Sequence, residues 1–469
     1  MDSRDRFRSW VSGNLAPICF LGAYFITVVL GNLIYFFPVG RSYLLEADYT
    51  ASILQFETIF SFGFWALLLL PFFFTPLVVW GAKRWMGSRK ISVLRLSSEF
   101  TRVEFFVILV VCYAYVLYAF YNADALSLFY SGTDAMSSVE SRFQIRGRIS
   151  FFSLVVLMSV LHYLSIYSVV RWVRGGGLFW MAISIFNIVF MSIFLILLNM
   201  KWPVLIYYAG LVLAIFVYAK KFAYIKTVIG FAGLVVMYLL VGAFVVRLIP
   251  VAPASPSIPV APASPSIPVA PASPSIPVAP APPSIPVAEK GGAYIFDIFK
   301  AAHENSPALF MLAVNRMAII YPYYYEVFTK EGAVCGGVLE QARVGPECRP
   351  STFIYGRIFG DDGFKGRGTA PAAVHISGYS LGGWPVALFA LFCASIILGF
   401  FASLPLDSSS IVGALSVTGG VVGYHFSQLP GEGPVFYDHG FFWVIFGLFI
   451  YFLIGFLFRR FRSCRWLAQ

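Results

Sequence analysis

Nine apolar stretches of eighteen residues or more recur along the 469-residue chain, at about 15–37, 58–81, 103–122, 149–170, 177–199, 202–219, 227–249, 384–404 and 440–458. Wound as a helix, about 20 apolar residues cross the roughly 30 Å hydrocarbon core of a bilayer. One such run can hide in a soluble core; nine cannot. The chain is 59% hydrophobic and 12% charged, against about 25% charged in an ordinary soluble domain. A soluble enzyme is thereby excluded, and the pattern predicts an all-α polytopic membrane protein. A tenth stretch, 409–427, is diluted by Gly and Ser, residues common where membrane helices pack closely.

The formal net charge of +11 would suit a nucleic-acid partner, but the positions of the charges give it another meaning. With Arg4, Arg6 and Arg8 cytoplasmic, the segments 83–102, 171–174, 220–226 and 459–465 fall on the same side if ten spans are counted, and they bring eighteen of the 33 Lys and Arg inside. That is the positive-inside asymmetry, so no nucleic-acid partner is expected. Both termini are then cytoplasmic. The first apolar run is too long for a signal-peptide core and lacks a small-residue cleavage site, so it is expected to remain as a membrane helix.

Four regions follow: spans one to seven in 1–249, a Pro-rich spacer in 250–288, a periplasmic loop region in 289–383, and spans eight to ten in 384–469. The spacer repeats IPVAPASPS from Ile249, with proline at every third position to Pro286. Polyproline II has three residues per turn, so these prolines line one edge of a semi-rigid rod on the order of 100 Å long. It reads as a spacer grown by duplication, with partner docking as the alternative.

Beyond it, Ser306-Pro307 signals the start of a helix through ALFMLAVNRMAII. Arg316 lies inside that run and either snorkels to the lipid surface or meets an anionic ligand. Tyr321, Tyr323, Tyr324 and Tyr325 follow. They suit an interfacial belt or a sugar-stacking surface. Cys335 and Cys348 have twelve residues between them; in an oxidising periplasm a disulfide closing that loop contributes about 3 kcal/mol in the chain-entropy model. The remaining four cysteines read as packing residues.

The stretch 349–385 combines Arg349, Arg357, Lys365 and Arg367 with many glycines, Asp361, Asp362, His375 and Tyr379. Glycines admit backbone amides close to an anion, and arginines grip phosphate oxygens as planar forks. Arg142, Arg146 and Arg148 crowd a short outer loop, where orientation rules disfavour them. A phosphate-bearing ligand at headgroup level or anionic lipid accounts for them. No span carries a mid-membrane pair of acids, which weakens a proton-coupled transporter.

This organisation, with one large late outer loop and arginines at the outer surface, resembles the Wzy-type O-antigen polymerases, or oligosaccharide repeat unit polymerases. Members have been described by an Arg, ten residues and a Gly in their outer loops, a spacing met by Arg349 and Gly360, Arg357 and Gly368, and Arg367 and Gly378. The segment GYSLGGWPVALF looks like the aromatic-Gly-Gly entry of their membrane helices. The Pro-rich repeat departs from the family pattern.

The resemblance implies a GT-C-like architecture of about ten helices in the bacterial inner membrane. It also implies transfer of glycan from undecaprenyl pyrophosphate to the end sugar of another lipid-linked repeat unit, in O-antigen, capsule or exopolysaccharide synthesis. Cations must then stabilise the leaving pyrophosphate and a base must take the acceptor proton. The expected cations are Arg146, Arg148, Arg247, Arg316, Arg349, Arg357 and Arg367, with Tyr379 also at the substrate. His375 is the expected base, with Asp361 and Asp362 behind it. This reading calls for no metal or cofactor, and its expected partners are the lipid-linked oligosaccharide, membrane lipid, a chain-length regulator and a flippase.

Three alternatives stand beside it. Glu46 and Asp48 in the first outer loop would suit a GT-C transferase using polyprenyl-phosphate sugars. An O-antigen ligase would centre on a His motif, which is not cleanly present around His375 or His425. A non-enzymatic flippase or exporter would lack so large an outer loop.

Overall fold

The computed structural model describes residues 3–38, 56–88, 99–130, 135–198, 201–219, 222–247, 318–337, 348–359, 369–405, 409–428, 447–448 and 450. They form helices and turns, with no β-strand among the described residues. The order begins α1 (Ser3–Ser12), α2 (Leu15–Phe36), α3 (Phe62–Ser88) and α4 (Arg102–Asn122). Short α5 (Ala125–Tyr130) and α6 (Ala135–Arg148) lead to α7 (Phe151–Val173), α8 (Gly177–Leu197), α9 (Lys201–Tyr218) and α10 (Ala223–Arg247). Then come α11 (Ile320–Lys330), α12 (Pro350–Phe359), α13 (Val374–Ala402) and α14 (Ser410–Ser427).

Stretches within α2, α3, α4, α7, α8, α10 and α13 are long and apolar enough to cross a membrane. The chain is a multi-pass α-helical membrane protein. The Pro-rich spacer, the helix expected from Ser306 and nearly all of the run 440–458 lie outside the described residues.

The Gly- and Ser-diluted α14 holds the centre of the bundle, packed against α2, α7, α9 and α13. Its glycines explain the position. A Cβ on Gly423 would strike the carbonyl of Ala16 in α2, one on Gly419 would strike the Phe401 ring, and one on Gly413 would come within 2.7 Å of the Tyr218 hydroxyl. The composition that dilutes its hydropathy is what lets neighbouring backbones approach. Two spans carry a π-turn, Phe25–Val29 in α2 and Val156–Leu161 in α7. Such bulges leave backbone groups out of the regular ladder and are frequent at functional sites.

The two ends of the bundle differ in chemistry. At one, Lys83 donates to the Asn14 side chain (2.9 Å), and Arg174 lies over the Tyr218 ring. There too Glu99 accepts from the Ser410 amide (2.7 Å) and the Tyr167 hydroxyl (3.0 Å) and pairs with Arg171 (3.6 Å). The carboxylate thereby serves a buried amide at the start of α14 that has no partner within the helix. We term this the basic end. The opposite one, where α2 finishes and α3 begins, is the tyrosine end.

Candidate functional site

At the tyrosine end, α11, α12 and the start of α13 dock on α2 and α3 around a shared apolar cluster. Pro322 lies in the first turn of α11, where its missing N–H costs nothing. Tyr321, Tyr323 and Tyr324 are fully buried, so they form the floor of this layer rather than a sugar-stacking surface. The Tyr321 hydroxyl accepts from the Ala373 amide (2.9 Å) and donates to the Ser427 carbonyl (3.3 Å). It thus stands in for a cap at the start of α13 and the end of α14. Burial pushes this hydroxyl above the usual tyrosine range, so it stays protonated. Tyr324 donates to the Ala370 carbonyl (2.8 Å).

α13 is broken. Gly382 and Gly383 leave the helical conformation, and Gly383 has φ +67° and ψ −153°. The piece 374–381 folds back on the following turn so closely that a Cβ on Gly378 would come within 2.8 Å of the Val386 carbonyl. Pro385 then opens the longer piece, where its missing donor is tolerated. The GYSLGGWP segment is therefore an elbow, and the helix starts ten residues before the apolar run at 384.

His375, expected in a loop, sits in the first turn of this elbow with no exposed surface. Its Nε2 lies 3.2 Å from the Tyr24 hydroxyl of α2. The other ring nitrogen, Nδ1, is buried without a hydrogen-bond partner among the described residues. His375 thus joins α2 and α13.

Tyr379 stacks on Tyr325 (5.8 Å between centroids, 18° between planes), meets Trp384 edge-on and shares a hydrogen bond with Thr329 (2.9 Å). Tyr325 reaches this position over Gly63 of α3, where a Cβ would strike its hydroxyl. Two ion pairs follow along α11, Glu326 with Lys330 and Glu331 with Arg357, each at 2.7 Å. Cys335 and Cys348 form a disulfide with Cα atoms 5.5 Å apart, tying the turn after α11 to the start of α12. Gly337, with φ +94°, packs against the Leu381 carbonyl at the elbow, leaving no space for a Cβ.

Arg349 immediately precedes α12, Arg357 lies in its last turn, and both are exposed. Their eight-residue separation corresponds to about 12 Å along a helix. Arg146 and Arg148 are exposed in the last turn of α6, and Arg247 closes α10. The alternation of the helices puts α6 and the end of α10 at the tyrosine end too. The Arg247 side chain, Arg316, Asp361, Asp362, Arg367, Glu46 and Asp48 lie outside the described residues. Among the described residues no group of three His, Cys, Asp or Glu comes together in a way that would hold a metal ion.

Glu326 and Glu99 did not stand out in the sequence. The first is spaced four residues from Lys330, a helical pair signal; the second owes its importance to Ser410, 311 residues away.

No family model, curated protein or solved structure matches this chain.

Proposed function

We propose that this protein polymerises lipid-linked oligosaccharide repeat units on the periplasmic face of the bacterial inner membrane. It moves a glycan from undecaprenyl pyrophosphate onto the end sugar of an acceptor unit. In this reading the basic end is cytoplasmic, the tyrosine end is periplasmic, and a tenth span returns the C-terminus to the cytoplasm. A flippase would deliver the substrate and a chain-length regulator would act on the product.

The observation that supports the reading is that several arginines lie at the tyrosine end, opposite the end where topogenic charge belongs. Arg349 just before α12, Arg357 in its last turn, Arg146 and Arg148 on α6 and Arg247 closing α10 all fall there. Guanidinium groups bind phosphate oxygens bidentately and stabilise charge developing on a departing pyrophosphate. The Arg357–Glu331 pair is about half exposed on both sides, and such pairs are worth at most about 1 kcal/mol. A doubly charged ligand can therefore displace the glutamate.

The test is chain extension in detergent, where no compartments exist. Purified protein given lipid-linked repeat units from the cells that produce it is expected to yield a ladder of longer products. Unchanged chain length overturns the reading and favours an exporter.

A further inference from the structure

Among the described residues, Glu326 is the one carboxylate that is buried, with 6% of its side chain exposed. Withdrawing a carboxylate from water costs several kcal/mol unless partners replace the lost hydration. Thr58 donates to one oxygen (3.1 Å) and Lys330 to the other (2.7 Å). An apolar residue would fill the position at lower cost, so packing does not account for the charge.

The surroundings suggest a use. Glu326, Thr329 and Lys330 are spaced i, i+3 and i+4, on one face of α11. Thr329 hydrogen-bonds the Tyr379 hydroxyl, and Tyr379 stacks on Tyr325 and meets Trp384, which is 37% exposed. Lys330 is half exposed, so the pair opens toward solution through its ammonium. The α11 face thus carries a carboxylate, a hydroxyl and an ammonium, and the partly exposed Trp384 ring of α13 lies beside it through the buried Tyr379; a sugar is held by such polar groups at its hydroxyls and by one such ring at its C–H face. Glu331, the next residue, pairs with Arg357. A proton acceptor on α11 and a cation of α12 suited to a leaving pyrophosphate therefore meet at the C-terminal end of α11.

We infer that this face is the acceptor-sugar subsite and that Glu326 is the catalytic base, an assignment that rests on the polymerase reading above. The acceptor hydroxyl oxygen attacks the anomeric carbon of the donor glycan and forms the new glycosidic bond. The bond from that carbon to the pyrophosphate oxygen breaks, and its electron pair leaves with undecaprenyl pyrophosphate. The hydroxyl proton passes to the Glu326 carboxylate and then to solvent.

The experiment compares full-length wild type with Glu326→Gln, Glu326→Asp and Glu326→Ala, using lipid-linked repeat units extracted from the producing cells. Turnover of Glu326→Gln is expected to fall about a hundredfold or more, with KM within about twofold of wild type, the range expected when a group acts in the transition state and not in binding. Glu326→Asp should retain part of the turnover, and added formate should restore part of it to Glu326→Ala, which a structural role would not produce. Near wild-type turnover in Glu326→Gln overturns the assignment. So does an alanine variant that formate leaves inactive. A wild type that lengthens nothing removes the polymerase reading and this inference with it, whereas an active wild type with an equally active Glu326→Gln removes this inference alone.

Discussion

The Tyr24 hydroxyl lies 3.2 Å from Nε2 of His375, across 351 residues of sequence and inside a fully buried ring cluster. Replacing Tyr24 by Phe removes one partner and leaves a buried ring nitrogen without its hydrogen bond, at a cost of about 1–3 kcal/mol. Tyr24→Phe should therefore lower the thermal midpoint in detergent. Adding His375→Leu should recover part of the loss, because the orphaned nitrogen is then gone. Additive losses would show that the two groups are not coupled.

Gly383 sits at φ +67° and ψ −153°, and no atom lies within 4 Å of where its Cβ would be. Its replacement is thus a test of backbone alone. Gly383→Ala should cost on the order of 1–3 kcal/mol. Gly356, inside α12 with equally open surroundings, is the control; Gly356→Ala should stabilise by about 0.5–1 kcal/mol. Equal effects at the two positions would argue against the elbow.

Arg349→Ala and Arg357→Ala should abolish chain extension in a glycan ladder while leaving insertion and thermal stability close to wild type. Arg357 pairs with Glu331 at the surface, where the loss of a pair costs at most about 1 kcal/mol. Full-length polymer from both variants would remove these arginines from the substrate grip.

Thiol counting checks the Cys335–Cys348 bond. Denatured protein alkylated without reductant should carry two fewer labels than protein reduced first, read by intact mass. Cys335→Ser should free Cys348 for labelling and loosen the turn that presses on the elbow through Gly337. Equal label counts would show that the bond does not form.

At Gly423 a side chain would enter the carbonyl of Ala16 and the amide of Phe20. Overpacking of this kind costs about 1–3 kcal/mol or more. Gly423→Leu should reduce the yield of monodisperse protein in detergent far more than Gly81→Leu, where a Cβ meets nothing within 4 Å.

Where the sequence is easy to read, the reason is that a bilayer tolerates few patterns. The apolar runs mark the spans because hydrocarbon offers the backbone no other partner. α14 reads weakly because hydropathy rewards large side chains, while the centre of this bundle needs small ones at Gly413, Gly419 and Gly423. His375 reads as loop because GYSLGG carries turn-forming residues; the elbow uses those glycines to bend a helix. The burial of Glu326 depends on α11 meeting Thr58 of a segment 268 residues earlier, and nothing in the local sequence announces that meeting. The exposed arginines, by contrast, are visible as charges in a loop, and the structure adds their helices and the end of the bundle they share.

The packing of α14 against α2 sets an order of manufacture. Ala16 and Phe20 emerge from the ribosome about 400 residues before Gly423, the glycine that fits between them. At about 5–20 residues per second that gap lasts on the order of 20–80 seconds. Asn32 likewise waits for the Ala318 carbonyl, Tyr24 for His375 and Glu99 for the Ser410 amide. The early helices therefore sit in the bilayer with these long-range contacts unmade until late helices arrive. A chain truncated before α14 keeps the Asn32 and Tyr24 contacts but lacks the Ser410 amide for Glu99 and the glycine face on which Ala16 and Phe20 pack, so the last of these helices closes the bundle around the first.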